Sequence, residues 1–378
     1  MPDQTTEMLD LAARAALRGA GDVEPNPLVG AVIVKHRQVI GIGHHKKFGG
    51  LHAEREALAD ARRRGHDPRG ATVYVTLEPC RHFGKQPPCT DALIESGVAR
   101  VVVARRDPDP VSGGGTEVLR SAGIEVEFDT SSSLALQIAE PFVKRITTGM
   151  PWVIAKWAQT IDGRIATRTG ESRWISGELS RRRVHRLRAR VDAIVTGMGT
   201  VLADDPLLTA RDVPRIRRIA RRVVIDGDLD LPVSSKLVQT ARSFPTTVVC
   251  GELVAGSALA GPRRAALEQA GVEVVGVPVL EHGVDLGAVL RMLWAKHRAT
   301  NVMLEAGAGL LGAMFDADLI DECLVYIAPM VFADEQAKAA AAGRAAPLLS
   351  DARRYELVRS RRSGGDIELT YRRSGRGG

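Results

Sequence analysis

The sequence predicts an α/β protein built from two domains. Its length of 378 residues exceeds that of a typical single domain. In both halves, short segments rich in β-branched residues alternate with segments of helical periodicity, which indicates sheets with helices packed on them. The alternation is interrupted at 147–151 by the turn-rich string Thr-Thr-Gly-Met-Pro. We therefore expect one domain over residues 1–147 and a second over residues 148–378.

The apolar runs and periodic segments predict the elements of the first half in order. Helices are expected at 6–18, 51–64, 91–96 and 131–145, and strands at 28–34, 39–42, 71–77, 100–104 and 124–128. In the second half, strands are expected at 152–158, 192–196, 222–225, 246–249, 272–275, 301–304 and 322–327, and helices at 178–189, 262–270, 286–297 and 310–315. The alanine-rich stretch 336–346 is either a helix or a loose loop. We expect the tail 372–378 to be disordered.

Composition excludes several classes of protein. Hydrophobic residues make up 44% and charged residues 26% of the chain, which is ordinary for a globular protein and excludes disordered, collagen-like and disulfide-scaffold chains. No apolar run approaches the ~20 residues of a membrane helix, and the N-terminus lacks the pattern of a signal peptide. We therefore expect a cytosolic location and no membrane partner. The net charge of +7 fits either nucleic acid or small phosphorylated ligands.

A histidine, a glutamate and two cysteines in the first half predict a zinc site. His52 and Glu54 precede Cys80, which is followed nine positions later by Cys89. One imidazole and two thiolates leave one of the four positions around zinc open, as in a catalytic site, and a water there has a pKa close to neutrality. Each cysteine follows a proline at an expected helix start, where the helix dipole favours thiolate. Glu54 is suited to carrying a proton beside the metal.

This order of residues resembles the cytidine deaminase superfamily, in which His-x-Glu is followed by Pro-Cys and a second cysteine, with the glutamate as general acid and base. The second cysteine of the superfamily comes three positions after the first, so this chain carries a longer loop. The strings at 25–30, 76–89 and 107–110 are similar to the deaminase half of the bifunctional riboflavin-biosynthesis deaminase/reductases. Arg81 replaces a residue that is usually small in that family. The resemblance implies substrate contacts from Asn26, His45, His82 and Lys85.

The second half contains a glycine motif, Gly307-Ala308-Gly309-Leu310-Leu311-Gly312, between an expected strand and an expected helix. That context suits phosphate groups at a helix N-terminus. A dinucleotide-binding Rossmann fold would also place an acid about 20 residues further on, whereas Asp321 and Glu322 come too early. We therefore expect a nucleotide-phosphate loop without a Rossmann domain, and close packing of helix against strand remains the alternative.

Four further strings, at 156–164, 170–176, 199–206 and 304–307, are similar to the reductase half of the same family, whose fold resembles dihydrofolate reductase. The resemblance implies NADPH contacts from Ala158, Trp174, Ser176, Thr200, Asp204, Gly307, Ala308, Gly309, Leu310, Leu311, Gly312 and Ala313. It implies substrate contacts from Ser172, Arg188, Leu208, Arg211 and Glu305, and the two arginines are suitable phosphate ligands. The chain departs from the family at 159–161 and in the alanine-rich segment 332–348.

The resemblance implies a cytidine-deaminase-like three-layer domain followed by a dihydrofolate-reductase-like domain, with Zn²⁺ and NADPH as cofactors. The expected reactions are hydrolytic deamination of 2,5-diamino-6-ribosylamino-4(3H)-pyrimidinone 5′-phosphate and then reduction of its ribosyl chain to ribityl, in a dimer formed through the reductase domain or in a tetramer. One alternative is a nucleic-acid or nucleoside deaminase with an accessory nucleotide-binding domain. Another is a zinc-stabilised nucleotide-binding module in which Glu54 only caps its helix.

Overall fold

The computed structural model describes residues 3–344 and 346–374. The chain divides between Gly149 and Met150 into two compact units. Gly149 ends the last helix of the first unit in the left-handed conformation (φ 67°), with its N–H bonded to the carbonyl of Arg145. Within the described part of the chain, no helix is both long and apolar enough to cross a membrane.

The described residues of the first unit, 3–149, form five strands and five α-helices. The strands are β1 (Gly30–Lys35), β2 (Gln38–His44), β3 (Thr72–Val75), β4 (Arg100–Val103) and β5 (Glu125–Phe128), and the helices are α1 (Gln4–Ala16), α2 (Ala53–Arg63), α3 (Cys89–Ser96), α4 (Gly115–Ser121) and α5 (Ser133–Thr148). A 3₁₀ turn, Leu17–Gly19, follows α1. The strands form one sheet in the order β2-β1-β3-β4-β5, antiparallel around β1 and parallel from β3 to β5.

Alternating side chains of this sheet pack against helices on both faces. Ile33 and Val73 join a core with α2, α3 and α4, whereas Val32 and Tyr74 join a core with α1 and α5. The sheet therefore has the period of two expected for strands covered on both sides, and the unit has three layers.

A close approach between β2 and α2 fixes the helix that begins the site. A Cβ on Gly43 would lie 2.2 Å from the carbonyl oxygen of Ala53, so only glycine fits there. The carboxylate of Asp60 further along α2 accepts a hydrogen bond of 2.9 Å from the N–H of Ile42 in β2. These contacts hold the first turn of α2, and with it Glu54, against the sheet.

The second unit contains thirteen strands and seven α-helices in its described residues. The strands are β6 (Trp152–Gln159), β7 (Arg164–Ala166), β8 (Ala193–Gly197), β9 (Arg221–Ile225), β10 (Thr246–Gly251), β11 (Glu273–Val277), β12 (Val279–Leu280), β13 (Gly283–Val284), β14 (Asn301–Leu304), β15 (Glu322–Ile327), β16 (Lys338–Ala339), β17 (Tyr355–Ser363) and β18 (Asp366–Arg373). The helices are α6 (Glu178–Arg188), α7 (Met198–Asp204), α8 (Lys236–Gln239), α9 (Glu252–Gly256), α10 (Gly261–Gln269), α11 (Leu286–His297) and α12 (Ala308–Asp316), and a 3₁₀ turn spans Leu349–Asp351.

Nine of these strands form one sheet in the order β11-β10-β9-β8-β14-β6-β15-β18-β17. The sheet is parallel from β11 to β15, and β18 and β17 are antiparallel. Hydrophobic cores cover both faces, with Ile154 and Ile194 on one side and Val153 and Val195 on the other. The carboxyl ends of β8 and β14 lead into α7 and α12, which border the second cavity described below.

The end of the chain differs from the sequence expectation. The prediction of disorder over 372–378 is wrong for Arg372 and Arg373, which belong to β18; Arg372 is also bonded to Glu322 at 3.0 Å. Residues 375–378 lie outside the described residues. The stretch 336–346 is a loop that contains β16, and within it Ala345 is not described. The β17–β18 hairpin was missed because its exposed faces carry many arginines.

Candidate active sites

The three predicted metal ligands meet in the first unit. His52 Nδ1 lies 3.5 Å from Cys80 Sγ and 3.3 Å from Cys89 Sγ, and the ligand atoms of all three residues lie within 4.8 Å of one another. Both thiols are buried. One imidazole nitrogen and two sulfurs, converging at this spacing, are a donor set that fits Zn²⁺.

The nine-position spacing is accommodated by a loop that leaves at Cys80 and returns at Cys89. The N–H of Cys89 donates to the carbonyl of Cys80 at 3.1 Å and approaches its sulfur at 3.4 Å, which closes the loop. A hydrogen bond that the Cys89 thiol donates to the Cys80 sulfur lowers the pKa of Cys80. The same bond, together with burial, raises the pKa of Cys89. Cys89 is the first residue of α3, so its sulfur lies at the positive end of a helix.

Glu54 lies beside this cluster in the first turn of α2. It is 3% exposed and lines a cavity of about 260 Å³ together with His52 and Cys80. Burial raises the pKa of its carboxyl group, and the charge on Cys80 raises it further. Glu54 does not belong to the group of metal ligands formed by His52, Cys80 and Cys89. A buried carboxyl group at the cavity wall that is not a ligand is placed to exchange protons with a bound molecule.

A hydrogen-bonded chain orients Asn26 in the same cavity. His45 Nδ1 lies 2.9 Å from the carbonyl oxygen of Leu51, which can only accept, so Nδ1 carries the proton. Burial lowers the pKa of His45, so the neutral ring leaves Nε2 as an acceptor for the Asn26 amide N–H at 3.2 Å. Both ring nitrogens of His45 are therefore engaged within the protein. Among the described residues, no group donates a hydrogen bond to the amide oxygen of Asn26.

The long loop supplies the other two predicted substrate residues. His82 and Lys85 both line the 260 Å³ cavity. The ammonium of Lys85 lies 3.8 Å from the centre of the Phe48 ring, and Gln86 donates to the carbonyl of Gly49 at 3.2 Å. These contacts fasten the loop to the segment that follows His45.

Sequence reasoning missed the acidic wall of this cavity. Glu78 and Asp107 line it, and Glu78 accepts from the N–H of Asp107 at 3.1 Å and from the N–H and hydroxyl of Thr116 at 3.0 and 2.8 Å. Burial raises the pKa of Asp107. Glu78 immediately precedes the Pro-Cys motif, and that position was the available signal.

The second unit contains a larger cavity of about 900 Å³. Most predicted reductase residues line it: Ala158, Ser172, Trp174, Ser176, Arg188, Thr200, Asp204, Leu208, Arg211, Glu305 and Gly307 to Leu310. Leu311, Gly312 and Ala313 do not line it. The cavity has an excess of cations, since Arg173, Arg181, Lys236 and Lys338 also border it, although Arg173 and Lys236 pair with Asp204 and Asp205 of the same lining.

The residues of the glycine motif have two different roles. Gly307 and Gly309 line the cavity, whereas Gly312 packs against another part of the chain. Gly307 caps α12, and its N–H donates to the hydroxyl of Thr200 at 3.1 Å. The first N–H groups of a helix have no acceptor within it, so the start of α12 offers donors to phosphate. A Cβ on Gly309 would meet no atom within 4 Å, whereas one on Gly312 would lie 2.3 Å from the carbonyl oxygen of Ala342. Gly312 therefore packs closely, but against the loop at 342–343 and not against a strand as the packing alternative expected.

Two predicted substrate residues pair with each other. Arg188 Nε and Nη2 donate to the two carboxylate oxygens of Glu305 at 2.5 and 2.8 Å, and Nη1 donates to the carbonyl of Thr209 at 3.2 Å. Burial alone would raise the pKa of Glu305, but the charge and hydrogen bonds of Arg188 hold that pKa at about 2. Arg188 is thus largely neutralised by Glu305, which weakens its predicted role as a phosphate ligand.

Lys156 is a cavity residue that the predicted set omitted. Burial lowers the pKa of its ammonium, and Glu305 opposes that shift. Among the described residues, no carboxylate oxygen lies within 4 Å of Lys156 Nζ. The signal in the sequence was a lysine in the middle of β6, a strand that is otherwise largely apolar.

Comparison with known proteins matches both units. The family model of the RibD C-terminal domain matches residues 151–369, and that of the cytidine and deoxycytidylate deaminase zinc-binding region matches residues 2–105. Riboflavin biosynthesis protein RibD of Aquifex aeolicus is 40% identical over 86% of this chain and 87% of its own length. RibD of Actinobacillus pleuropneumoniae is 37% identical over 97% and 96%. The chain belongs to the RibD family.

Solved structures support the same conclusion over the whole chain. A structure of Acinetobacter baumannii RibD matches with a TM-score of 0.81 at 35% identity, covering 98% of this chain and 99% of that one. A deaminase/reductase of Thermotoga maritima matches with a TM-score of 0.79 at 33% identity, covering 98% of each. The predicted fold class is confirmed. The family is a bifunctional one of riboflavin biosynthesis, with a zinc-dependent deaminase and an NADPH-dependent reductase, and the comparisons favour it over the nucleic-acid deaminase alternative.

Proposed function

We propose that residues 1–147 deaminate 2,5-diamino-6-ribosylamino-4(3H)-pyrimidinone 5′-phosphate and that residues 148–378 reduce the ribosyl chain of the product to ribityl. The Thermotoga maritima relative is described as a diaminohydroxyphosphoribosylaminopyrimidine deaminase and 5-amino-6-(5-phosphoribosylamino)uracil reductase. The observation that carries the proposal is the presence, in one chain, of a His-Cys-Cys cluster beside a buried carboxyl group and of a cationic cavity at a helix N-terminus.

In the deaminase, His52, Cys80 and Cys89 would hold the zinc ion, which supplies a Lewis acid that lowers the pKa of water. Glu54 takes a proton from the attacking water and delivers it to the amino group at C2 of the pyrimidine, while the second proton of the water ends on the ring nitrogen next to C2. That group leaves as ammonia, and the carbon keeps the oxygen as a carbonyl. The burial of Glu54 keeps bulk water from exchanging with this proton.

Substrate binding in the deaminase depends on groups that are fixed before the substrate arrives. The unused amide oxygen of Asn26 is an acceptor for an N–H on the pyrimidine edge, and His45 fixes the orientation of that amide. Lys85 and His82 provide positive charge and hydrogen bonds on the opposite loop. We assign His45 a positioning role, since its ring nitrogens already have partners.

In the reductase, NADPH would lie along the start of α12, near Thr200 and Trp174, and it supplies the hydride that reduces C1′ of the ring-opened substrate. The N–H groups of Ala308 and Gly309, at the start of α12, would bind its phosphates. Lys156 faces the Arg188–Glu305 pair and is placed to give a proton to the nitrogen attached to C1′. Arg211 is an exposed guanidinium for the substrate phosphate.

Incubation of the protein with the diaminopyrimidine substrate, with and without NADPH, tests this assignment. We expect ammonia release without NADPH. Loss of nicotinamide absorbance should follow only after deamination. Oxidation of NADPH by the undeaminated substrate would contradict the proposed order, and ammonia release by protein stripped of zinc would contradict the role of the metal cluster.

Two expectations remain predictions. The dimer formed through the reductase domain, or a tetramer, is to be tested by sedimentation velocity. The cytosolic location is to be tested by fractionation of cells that express the protein at its natural level.

A further inference from the structure

The segment at residues 205–212 borders the reductase cavity in an unfavourable backbone conformation. Asp205, Leu208 and Asp212 have φ angles of 40°, 49° and 55°. These values lie in the left-handed region, which residues other than glycine rarely adopt. Leu208 is also buried, at 3% exposed. We call this segment the substrate loop, since it carries Leu208 and Arg211. A backbone of this kind persists only where surrounding groups hold it.

Three side chains from outside the substrate loop hold its backbone. Arg222 Nη1 donates to the carbonyl of Leu207 at 3.2 Å, and Arg188 Nη1 donates to the carbonyl of Thr209 at 3.2 Å. His185 Nδ1 accepts from the N–H of Arg211 at 3.1 Å. Arginine has no acceptor atom, so among these three only the histidine can bind a backbone N–H.

His185 lies on α6, three residues before Arg188, and residues at that spacing share one face of a helix. Burial lowers the pKa of His185, and the charges of Arg188 and Arg211 lower it further. The ring is therefore neutral at neutral pH and keeps Nδ1 as an acceptor.

Arg211 is the residue that this bond places. Its guanidinium borders both the 900 Å³ cavity and an adjoining cationic pocket of about 630 Å³, which Lys156, Arg181 and His185 also line. Its Nη1 donates to the Thr209 hydroxyl at 3.2 Å. Without an anchor on its backbone, an exposed arginine is free to move away from a bound phosphate.

We propose that His185 is a positioning residue of the reductase, whose Nδ1 anchors the backbone of Arg211 and so fixes the guanidinium that takes the 5′-phosphate of the substrate. The inference rests on the proposed function of the second unit. His185 makes no contact with the reacting atoms in this proposal, because it acts only through Arg211.

The test compares His185→Leu, which removes the acceptor, with His185→Asn, whose Oδ1 lies close to the place of Nδ1, in the full-length protein. We expect His185→Leu to raise the KM of the deaminated, phosphorylated substrate about tenfold, the effect of one lost hydrogen bond, with kcat little changed. His185→Asn should restore the KM to within about threefold of the wild type. With the dephosphorylated analogue, all three proteins should have the same KM.

Several outcomes would overturn the proposal. These are an unchanged KM in His185→Leu, an equal loss in His185→Leu and His185→Asn, or an equal loss with the dephosphorylated analogue. A fall in NADPH affinity, measured by nicotinamide fluorescence, would assign the histidine a general structural role instead. If the wild-type protein does not oxidise NADPH with the deaminated substrate, the proposed function itself fails, and that result is distinct from all of these.

Discussion

The two cavities differ in how they surround a glutamate. In the described part of the chain, Glu54 of the deaminase cavity has no cationic partner, whereas Glu305 of the reductase cavity forms an ion pair with Arg188. Among the described residues, no cation lies within 4 Å of the Glu54 carboxyl group, and burial raises its pKa. The Glu305 side chain is 12% exposed, and Arg188 binds both of its oxygens and holds its pKa at about 2. A glutamate without a cationic partner is therefore suited to proton transfer in one unit, and a glutamate paired with arginine is suited to fixed negative charge in the other.

The largest effect is expected from Glu54→Gln, which removes the proton carrier and keeps the shape of the side chain. Deamination should fall by about a thousandfold, within the range of general acid and base catalysis. Bound zinc, measured by metal analysis, and reduction of the already deaminated substrate should be unchanged. A variant that keeps both zinc and full deamination would show that Glu54 is not the proton carrier of the reaction.

Replacement of Glu305 tests whether its ion pair with Arg188 stabilises the second unit. Glu305→Gln leaves the Arg188 guanidinium, whose side chain is only 13% exposed, without its partner, so the second unit should lose about 3 kcal/mol of unfolding free energy. The double variant Arg188→Met with Glu305→Met should lose less than Glu305→Gln, because it does not leave the Arg188 guanidinium without its partner. All four tryptophans of the chain lie in the second unit, at positions 152, 157, 174 and 294, so tryptophan fluorescence in urea reports this unit alone. Equal losses in the single and double variants would show that the pair does not act as a unit.

The same pair predicts how the second unit responds to acid. The pKa of Glu305 is about 2 in the folded protein and 4.5 without its surroundings. A lowered pKa contributes stability that is present above pH ~5 and is lost as the pH falls toward 2, and a shift of this size corresponds to about 3 kcal/mol. The unfolding free energy from tryptophan fluorescence should therefore fall between pH 5 and pH 3 in the wild type. The fall should be smaller in Glu305→Gln, and a parallel fall in both proteins would locate the acid sensitivity elsewhere.

Two alanine variants of the glycine motif, Gly312→Ala and Gly309→Ala, form a matched pair with a smaller expected effect on stability. Gly312→Ala places a methyl group 2.3 Å from the Ala342 carbonyl oxygen, so the second unit should lose about 1–3 kcal/mol of unfolding free energy. Gly309→Ala meets no atom within 4 Å, so stability should be retained and any loss should be in NADPH affinity. The reverse result would mean that Gly312, and not Gly309, faces the cofactor.

The zinc site was predictable because metal chemistry requires particular residue types, and His52, Cys80 and Cys89 are close enough in sequence to form a pattern. The Arg188–Glu305 pair was not predictable, since its members are 117 positions apart and the chain is rich in arginine. Nor does the string of the glycine motif show that Gly312 faces a loop. The contact depends on the fold placing the loop at 342 against α12, and the local periodicity of the sequence does not encode that placement.

The smallest effect concerns His45, which acts only through Asn26. His45→Phe removes both ring nitrogens, so the amide of Asn26 loses the acceptor that orients it. The KM for deamination should rise about tenfold, the effect of one lost hydrogen bond. The informative measurement is a double-mutant cycle. If His45 only positions the amide, then His45→Phe should add nothing further in a protein that already carries Asn26→Ala. Independent, additive losses would instead mean that His45 contacts the substrate directly, as the family resemblance implies, and that its bond to Leu51 opens when the substrate binds.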